Sequence, residues 1–465
     1  MVSLNRRQQA ARVTLFLIVG LLLLFGALAG YHVWIRFQSS SDAALIAELQ
    51  DATILEPTLP EGPSDWPQWR GLSRDGVSPE RDLLTDWPKA GLKVLWRADC
   101  GEGFSSVTVS RGQAITLFLN KDQTAEVVIC WNADTGKELW RREYDCAYLN
   151  SFGNGPRSTP TVDGDYVYTV GGTGIFHCLE RATGKVVWKH ELLKEFDASN
   201  IHWGVSFSPL IEGDLVLTNP GGRHGNSLAA FDKLTGDLRW QSLDDLAGYS
   251  SPIAITAGGV RQVVFFTGEG AVGVNPSDGA LLWRKAWKTS NDVNAATPIF
   301  FQAKSGSDVR DYLFISSGYG KGCALLNLVK RGDSFVAQSV YENNQMCNHF
   351  STSVRYKDHF YGFNDNLLTC MDVRTGEVRW ARKDSRGNEF VKGSLILADG
   401  KLVILGETGR LALAEATPEE YKEIARMRIF DGQRKWAPPV LAHGKLYLRD
   451  ETEVKCLDLR KDAEK

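Results

Sequence analysis

The strongest constraint on the fold is a short recurring motif, a glycine followed four residues later by a tryptophan. Successive tryptophans of the motif are 48, 52, 43 and 97 residues apart, and the last interval corresponds to two units with one degenerate copy between them. Repeats of this size with four strands each predict the blades of a β-propeller. The five copies are NADTGKELW with Gly136 and Trp140, ERATGKVVW with Gly184 and Trp188, DKLTGDLRW with Gly236 and Trp240, NPSDGALLW with Gly279 and Trp283, and DVRTGEVRW with Gly376 and Trp380.

The residues between two copies of the motif also repeat in a fixed order. A unit opens with Ser-Pro or Thr-Pro before an apolar strand, as at Thr159-Pro160 and Ser208-Pro209. Proline is tolerated at the first residue of a strand because its missing N–H breaks no ladder hydrogen bond. An alternating strand, a glycine-rich hairpin, a short apolar strand and the Gly/Trp turn follow. This order predicts four strands per unit.

Two further units, residues 393–431 and 436–459, lack the Gly/Trp turn, and the second has only three strands. Near the start of the domain, the isolated segment Lys93-Val94-Leu95-Trp96 matches the missing strand. Its pairing with the last unit would close the ring and remove exposed sheet edges. We therefore predict an all-β fold, an eight-bladed β-propeller over residues 66–465. In it, Trp96 and the five repeat tryptophans pack between blades, and each indole N–H reaches a backbone carbonyl.

With these motifs in place, the chain resembles the propellers that carry pyrroloquinoline-quinone (PQQ) repeats, over roughly Asp65 to Leu459. That family includes PQQ alcohol dehydrogenases and the catalytically inert outer-membrane assembly lipoprotein BamB. The opening DWPQWRG and the following RDG, up to Gly76, are similar to the start of membrane-associated propellers of planctomycete-type bacteria. Thr417 to Lys422 is similar to a short helical insert in BamB-like chains. The resemblance implies the quinoprotein alcohol dehydrogenase-like fold and leaves both a catalytic and a non-catalytic function open.

The residues that the resemblance implies for catalysis are incomplete in this sequence. PQQ dehydrogenases typically use two adjacent cysteines and a Ca²⁺ held by Glu, Asn and Asp. No two of the eight cysteines are adjacent, and there is no C-x-x-C-H haem motif. Asn364-Asp365-Asn366 lacks the further ligands of a calcium loop and occupies a hairpin position, which favours a turn. No metal site or cofactor is therefore firmly implied, and PQQ with Ca²⁺ belongs to the alternative function.

The cysteines fall into two groups. Four share one position of the blade, which holds alanine or glycine in other copies, and this predicts small buried thiols. Among the rest, Cys100 and Cys146 follow the outer strands of neighbouring blades. A disulfide between them is one alternative in an oxidising compartment, and free thiols are the other. The four core thiols are Cys130, Cys178, Cys370 and Cys456, and Cys323 and Cys347 complete the eight.

The loops that precede the first strand of each blade converge at the mouth of the central channel in a propeller. Here they carry polar and aromatic residues from several blades. Two interpretations stand: a hydrated channel rim, or a small-molecule or redox-cofactor pocket. The candidate binding residues are Asn154, Arg157, His202, Trp203, Asn294, Asn348 and His349, and the same loops carry Tyr249, Asn291, Asp292, Lys392 and Trp436.

The N-terminal part does not belong to the repeats. Residues 13–35 contain no charge and can cross a hydrocarbon core of about 30 Å. Three arginines precede this run, which places residues 1–12 in the cytoplasm and the propeller outside. Ala27-Leu28-Ala29 before Gly30 has the form of a signal-peptide cleavage site, but the apolar run continues beyond it. We predict an uncleaved anchor followed by a linker without a core at residues 36–65, with cleavage before Gly30 as the alternative.

The net charge of the chain and its predicted location limit the functions that it can have. A formal net charge of −3 and a pI near 6.3 provide no basic field for nucleic acid. The predicted function is a BamB-like, non-catalytic scaffold, tethered to the outer face of the inner membrane, that binds a protein or peptide partner. The alternative is a divergent PQQ-dependent dehydrogenase that oxidises an alcohol or a sugar.

Overall fold

The computed structural model describes residues 40–58, 60, 62, 64–382, 390–432 and 434–461. The predicted anchor at 13–35, the cytoplasmic residues 1–12 and the alternative cleavage site before Gly30 lie outside these ranges. Within them, no helix is long and apolar enough to cross a membrane. Eight β-sheets form an eight-bladed propeller.

Short elements precede the blades, and each blade then follows in chain order. The first elements are β1 (Ser40–Ser41), α1 (Ala43–Gln50), β2 (Thr53–Ile54), β3 (Val77–Ser78) and β4 (Val94–Asp99). Blade 1 comprises β5 (Thr108–Ser110), β6 (Gln113–Leu119), β7 (Ala125–Asn132) and β8 (Glu138–Asp145); blade 2 comprises β9 (Thr161–Asp163), β10 (Tyr166–Val170), β11 (Ile175–Glu180) and β12 (Val186–Glu191), followed by α2 (Leu192–Glu195). Blade 3 comprises β13 (Leu210–Glu212), β14 (Leu215–Thr218), β15 (Leu228–Asp232) and β16 (Leu238–Ser242); blade 4 comprises β17 (Ile253–Ala257), β18 (Val260–Phe266), β19 (Gly270–Val274) and β20 (Leu281–Ala286).

The second half of the ring continues this order after a 3-10 turn at Ser290–Asp292. Blade 5 comprises β21 (Ile299–Ser305), β22 (Asp308–Ser317), β23 (Gly322–Arg331) and β24 (Ser334–Asn343); blade 6 comprises β25 (Val354–Tyr356), β26 (His359–Asn364), β27 (Leu367–Asp372) and β28 (Val378–Ala381). Blade 7 comprises β29 (Gly393–Ala398), β30 (Lys401–Gly406), β31 (Arg410–Glu415) and β32 (Lys422–Arg428); blade 8 comprises β33 (Val440–Ala442), β34 (Lys445–Arg449), β35 (Glu453–Asp458) and β4.

The antiparallel order of each blade defines two ends of the ring. The hairpins between the second and third strands, and the loops to the next blade, lie at the end we call the mouth. The other two turns of each blade lie at the end we call the base. The core consists of the side chains between adjacent blades, as where Ile115 and Cys130 of blade 1 pack with Val167 and Leu179 of blade 2.

The ring closes as the sequence predicts. Strand β4 pairs antiparallel with β35, and Trp96 lies opposite Cys456. The Trp96 indole N–H donates to the Ala133 carbonyl of blade 1 at 2.9 Å. Gly136, with a φ of 68°, brings its turn against the Trp96 ring, where a Cβ would lie 2.7 Å from the indole. The two chain ends therefore complete blade 8 together.

Four of the five repeat tryptophans use the same docking contact as Trp96. Each indole N–H donates to the carbonyl that follows the Asn, Asp or Glu of the next blade, or to the equivalent turn. The pairs are Trp140 with Arg181 at 2.8 Å, Trp188 with Lys233 at 3.1 Å, Trp240 with Pro276 at 2.8 Å and Trp380 with Thr417 at 2.9 Å.

Trp283 is an exception, and the prediction of a backbone partner for it is wrong. Its indole N–H donates to Gln262 Oε1 at 2.7 Å, within its own blade. The reason is that blade 5 lacks the Gly/Trp turn that would supply the carbonyl. Blade 5 instead uses Tyr341, whose hydroxyl donates to the Val373 carbonyl of blade 6 at 3.0 Å. A tyrosine therefore fills the docking position of the degenerate copy.

Two further expectations are settled by the geometry. Thr417 to Lys422 forms bends that lead into β32, not a helix, because the Thr417 carbonyl is taken by the Trp380 indole. Cys100 and Cys146 are both free thiols. The predicted core thiols are buried, and each lies opposite a docking tryptophan: Cys130 with Trp140, Cys178 with Trp188, Cys370 with Trp380 and Cys456 with Trp96.

The Ser/Thr residues of the Ser-Pro and Thr-Pro pairs link neighbouring blades around the channel. The Thr159 amide donates to Ser208 Oγ at 2.9 Å, and the Ser208 amide donates to Ser251 Oγ at 2.9 Å. The same contact joins the Thr297 amide to Thr352 Oγ1. The hydroxyl before each of these strands therefore satisfies a backbone N–H of the preceding blade.

The prediction that the linker lacks a core is wrong for residues 40–56. Strand β1 extends blade 5 at β24, and β2 extends the same blade at β21. Between them, α1 buries Leu49 in a cluster with Phe301 and Tyr341. The short apolar run of this segment thus packs against blades 5 and 6.

Residues 66–78 cross the base of the ring and close it. Trp69 donates from its indole to Thr297 Oγ1 at 2.8 Å. Arg70 donates to the carbonyls of Thr352 and Ser353 in blade 6, and Arg74 donates to those of Ser208 and Pro209 on the other side. Both guanidinium groups are buried. We call residues 66–78 the base segment; Arg74, Asp75 and Val77 line a cavity of about 560 Å³ together with residues of the inner strands.

Candidate functional site

The loops at the mouth bring aromatic side chains from several blades into a continuous belt. Phe104 lies 4.6 Å from Trp436 between ring centroids, and Trp436 lies 5.2 Å from Phe350. On the other side, Trp203 is nearly parallel to Tyr319, at 6.4 Å and an interplanar angle of 17°. We call these rings the mouth belt, and its members in order are Phe104, Trp436, Phe350, His349, Tyr319, Trp203, His202 and Tyr148.

Arg157 closes the belt between Phe104 and Tyr148. Its guanidinium carbon lies 5.4 Å from the Phe104 centroid and 4.6 Å from the Tyr148 centroid, within the range of a cation–π contact. It also donates to the carbonyls of Gly153 and Gly155. Burial lowers the pKa of Arg157 to about 10, so the group stays charged at neutral pH. Arg157 therefore supplies a fixed positive charge among the rings.

Trp203 is the junction of the belt on the side of blade 3. It contacts His202 at 4.7 Å, Tyr249 at 5.6 Å and Phe152 at 6.1 Å between centroids. Phe152 and Tyr319 are 51% and 49% exposed, although both are large apolar rings. An exposed group of this kind marks a contact surface more often than a structural core.

His349 sits between Tyr319 and Phe350 and has an unused ring nitrogen. Its centroid lies 4.6 Å from that of Tyr319, and its Nδ1 is buried without a hydrogen-bond partner among the described residues. Burial, with Lys392 nearby, lowers the pKa of His349 to about 4. The imidazole is therefore neutral at physiological pH, with Nδ1 able to take part in one more hydrogen bond.

Three of the predicted binding residues form hydrogen bonds that hold the loops together. The Asn294 amide donates to the carbonyls of Thr267 and Trp287, and its oxygen accepts from Ser317 Oγ at 2.7 Å. Both amide atoms of Asn348 are likewise bonded within the protein. Asn154 Oδ1 accepts from the Asn150 amide. These hydrogen bonds position the loops of the mouth.

Several other polar residues of the mouth loops are paired. Lys392 lies 3.1 Å from Asp365, in the two-residue turn between β26 and β27. The Trp436 indole donates to Glu407 Oε1 at 2.7 Å. Asn291 and Asp292 belong to the 3-10 turn before blade 5, where Asp292 lies 3.8 Å from Lys288.

Sequence reasoning misses several members of the belt. Phe104, Tyr148 and Phe350 lie in the expected loops, but nothing in the repeat distinguishes them from packing residues. Tyr319 comes from the hairpin between β22 and β23, which the sequence treats only as a turn. A signal that could find Phe104 and Phe350 is their shared place two residues before the hydroxyl that links neighbouring blades, the place that Tyr249 holds before Ser251.

A buried polar cluster lies directly beneath Tyr148 and Arg157. Glu126 is fully buried and accepts hydrogen bonds from the Tyr144 hydroxyl at 2.8 Å and the Gly172 amide at 2.9 Å. Burial raises the pKa of Glu126 and outweighs the opposing effect of these two donors. Burial also raises the pKa of Cys146, which adjoins the cluster, to about 12, so this thiol is not a reactive nucleophile.

Comparisons with known proteins identify the family of this chain. The family model described as outer membrane protein assembly factor BamB matches residues 124–382, more than half of the chain. The chain belongs to this family. A search of the curated proteins finds no match.

Solved structures similar to this BamB-family chain have different functions. Quinohemoprotein alcohol dehydrogenase from Comamonas testosteroni aligns at 12% identity and a TM-score of 0.62, covering 86% of this chain and 81% of that chain. BamB from Moraxella catarrhalis aligns at 14% identity and a TM-score of 0.54, covering 80% and 99%. The computationally designed Ika8 protein aligns at 11% identity and a TM-score of 0.51, covering 79% and 100%. At these identities the likeness shows the fold alone.

The mouth of this BamB-family propeller does not fit PQQ with Ca²⁺. A calcium ion requires six or more oxygen ligands, several of them carboxylates. In the described part of the chain, no group of three or more His, Cys, Asp or Glu side chains could hold a metal ion. The amide oxygens of Asn294 and Asn348 accept from serines, and the Asp365 carboxylate faces Lys392. The donors that would bind the ion are therefore used within the protein.

Proposed function

We propose that the chain is a non-catalytic binding scaffold of the BamB type, held by residues 13–35 at the outer face of the inner membrane. In this proposal the mouth belt binds a protein or peptide partner. The observation that carries it is the belt itself: rings from six different loops meet at one end of the ring, and Tyr319 in the belt and Phe152 beside Trp203 are about half exposed. Trp, Tyr and Arg are the residue types that dominate binding energy in protein interfaces.

The polar groups at the mouth favour a binding function over a catalytic one. Arg157 and His349 are held by the fold, and the carboxylates close to them are paired. A cysteine nucleophile needs a lowered pKa, and burial raises the pKa of both Cys146 and Cys347, which adjoin the mouth. The site has the character of a contact surface.

Photocrosslinking in cells tests the scaffold function. A photoreactive phenylalanine analogue replaces Tyr319 or Phe152 in the mouth, and Leu234, which is 50% exposed in a turn at the base, serves as the matched control. We expect a defined crosslinked product from the mouth positions that is absent from the Leu234 position. Trp203→Ala in the same chain should remove it. Equal products from both ends of the ring, or no product from the mouth, would contradict the proposal.

The dehydrogenase alternative rests on the fold likeness alone, and it is tested separately. The exported chain is incubated with PQQ and Ca²⁺, binding is followed by calorimetry, and oxidation of alcohols and sugars is followed with an artificial electron acceptor. We expect no heat of binding and no turnover. Turnover that depends on both PQQ and Ca²⁺ would replace the scaffold function with the dehydrogenase.

The location is proposed from the sequence. The uncharged run at 13–35 and the arginines before it support a single-pass anchor with the propeller on the periplasmic side. Alkaline extraction of membranes should leave the chain in the membrane fraction. A soluble periplasmic protein that begins at Gly30 would show that the signal peptide is cleaved.

A further inference from the structure

We propose that the mouth end of blade 5 lies against the lipid headgroups, so that the anchor holds the ring by its rim. This inference rests on the proposed anchor at residues 13–35. It goes further because it assigns one surface of the propeller to the membrane.

The chain is fixed to blade 5 from Ser40 onwards. Ser40 pairs with Glu342 in β24, and the Asp42 amide donates to the Val340 carbonyl at 2.9 Å. Asp42 also caps α1, since its carboxylate accepts from the amides of Ala44 and Leu45. From Ser40 the chain is therefore part of the sheet.

Three arginines of the ring hold the rest of this segment. Arg310 forms an ion pair with Glu48 in α1. Arg374 donates to the carbonyls of Leu49 and Ala52, at 3.2 and 3.1 Å. Arg355 pairs with Glu56 at 2.9 Å. These contacts, together with the buried Leu49, leave no free tether between residues 40 and 56.

The distance from the bilayer follows from the chain length. The uncharged run ends at Ile35, five peptide steps before Ser40, and five extended residues span at most about 18 Å. Ser40 lies opposite Glu342, next to the end of β24, and the chain after β24 leads to His349 and Phe350 of the mouth belt. The mouth end of blade 5 is therefore the part of the ring closest to the membrane.

The side chains at this edge suit a headgroup surface. Lys321, which lies over the Trp287 ring, and Lys288, 3.8 Å from Asp292, are exposed, as are Asn344 and Gln345 beside the entry point of the chain. Lysines near a surface of anionic lipid attract it, and amides hydrogen-bond to headgroups. The mouth belt would then open beside the membrane, where the proposed partner of the scaffold would meet it.

The test uses the full chain in vesicles of phosphatidylethanolamine and phosphatidylglycerol. Cys100→Ser removes the cysteine that is not buried, and one fluorophore is attached at Gln345→Cys, Asp333→Cys or Asp122→Cys. Asp333 lies at the base of the same blade and Asp122 at the mouth of the opposite blade, and both are exposed. A quencher on the lipid headgroups should reduce the fluorescence at residue 345 more than at the other two. A long Gly/Ser insertion between Gln38 and Ser39 should abolish this difference.

Two failures are distinguishable. Equal quenching at the three positions in vesicle-bound chain, or the strongest quenching at residue 333 or 122, would overturn the rim contact and leave the anchor intact. A chain that does not stay with the vesicles would refute the anchor, and the rim contact with it.

Discussion

At the scale of single residues, two arginines carry their charge into the centre of the ring. Burial lowers the pKa of Arg70 to about 10 and that of Arg74 to about 9, so both stay charged at neutral pH. Neither forms an ion pair with a carboxylate in the described structure; backbone carbonyls of the blades accept their hydrogen bonds. The base segment is thus fixed by acceptors on opposite sides of the channel, and the Asp75 carboxylate also acts electrostatically on Arg70.

Arg70→Met tests this arrangement. The substitution leaves the carbonyls of Asp75, Thr352 and Ser353 without their donor, and each buried polar group left unsatisfied costs about 1–3 kcal/mol. We expect the free energy of unfolding to fall by about 3 kcal/mol, measured by chemical denaturation. The same change at the exposed Arg81 should alter it by no more than about 0.5 kcal/mol. Equal stability of the two variants would refute the role of Arg70.

Glu126 makes a pH-dependent contribution to stability. Its pKa is raised in the folded state by burial, while Tyr144 and Gly172 donate to it and Arg157 acts on it from the mouth. Above its unfolded pKa of about 4.3, the folded protein keeps a proton that the unfolded chain releases. The contribution of Glu126 to the free energy of unfolding therefore decreases as the pH rises through this window.

Glu126→Gln removes that titration and keeps the shape of the side chain. We expect the free energy of unfolding of the variant to fall less steeply than that of the native chain as the pH rises above about 4.3. Denaturation curves at several pH values measure both slopes. Parallel slopes would show that Glu126 titrates normally in the folded state.

At the scale of elements, the repeat determines what the sequence can predict. The blades and the closure by Trp96 follow from the motif, because glycine, turn residue and tryptophan all serve one docking contact. Blade 5 has lost the glycine and the tryptophan together, so no pattern identifies Tyr341. An asparagine in a loop has the same sequence signature whether it binds a ligand or its own backbone. For this reason Asn154, Asn294 and Asn348 could not be separated from Arg157 and Trp203 without coordinates.

The segment of β1, α1 and β2 has no copy elsewhere in the chain. The sequence pattern therefore does not reveal its packing either. Leu49 is fully buried, whereas Leu55 is 36% exposed, so the two leucines form a matched pair. Leu49→Ala removes core packing worth about 2–5 kcal/mol and should detach the segment. Limited proteolysis should then cleave within residues 40–56, while the native chain and Leu55→Ala stay intact there. Cleavage in the native chain at the same rate would mean that the segment does not pack on blade 5.

At the scale of the whole molecule, every blade depends on the closure of the ring, since each packs between two neighbours. Blade 8 is completed by β4, and its contact with blade 1 is made by Trp96, which packs with Trp131 and Tyr447 at centroid distances of 6.2 and 5.9 Å. A ring without this contact would expose the edge of β35 and the flank of blade 1. The exposed edge would favour association with other chains.

Trp96→Ala therefore tests the architecture as a whole. Truncation of a buried aromatic ring costs about 3–5 kcal/mol, a large share of the roughly 5–15 kcal/mol that stabilises a typical domain. We expect losses of similar size for Trp96→Ala and Trp188→Ala in thermal melts, because both rings occupy the same docking position. Leu139→Ala, at a side chain that is 47% exposed, serves as the control and should change little. If the Trp96→Ala variant were as stable as the native chain, the two ends of the chain would not meet in one blade. Removal of a side chain that helps to close the ring must lower the stability of the whole ring.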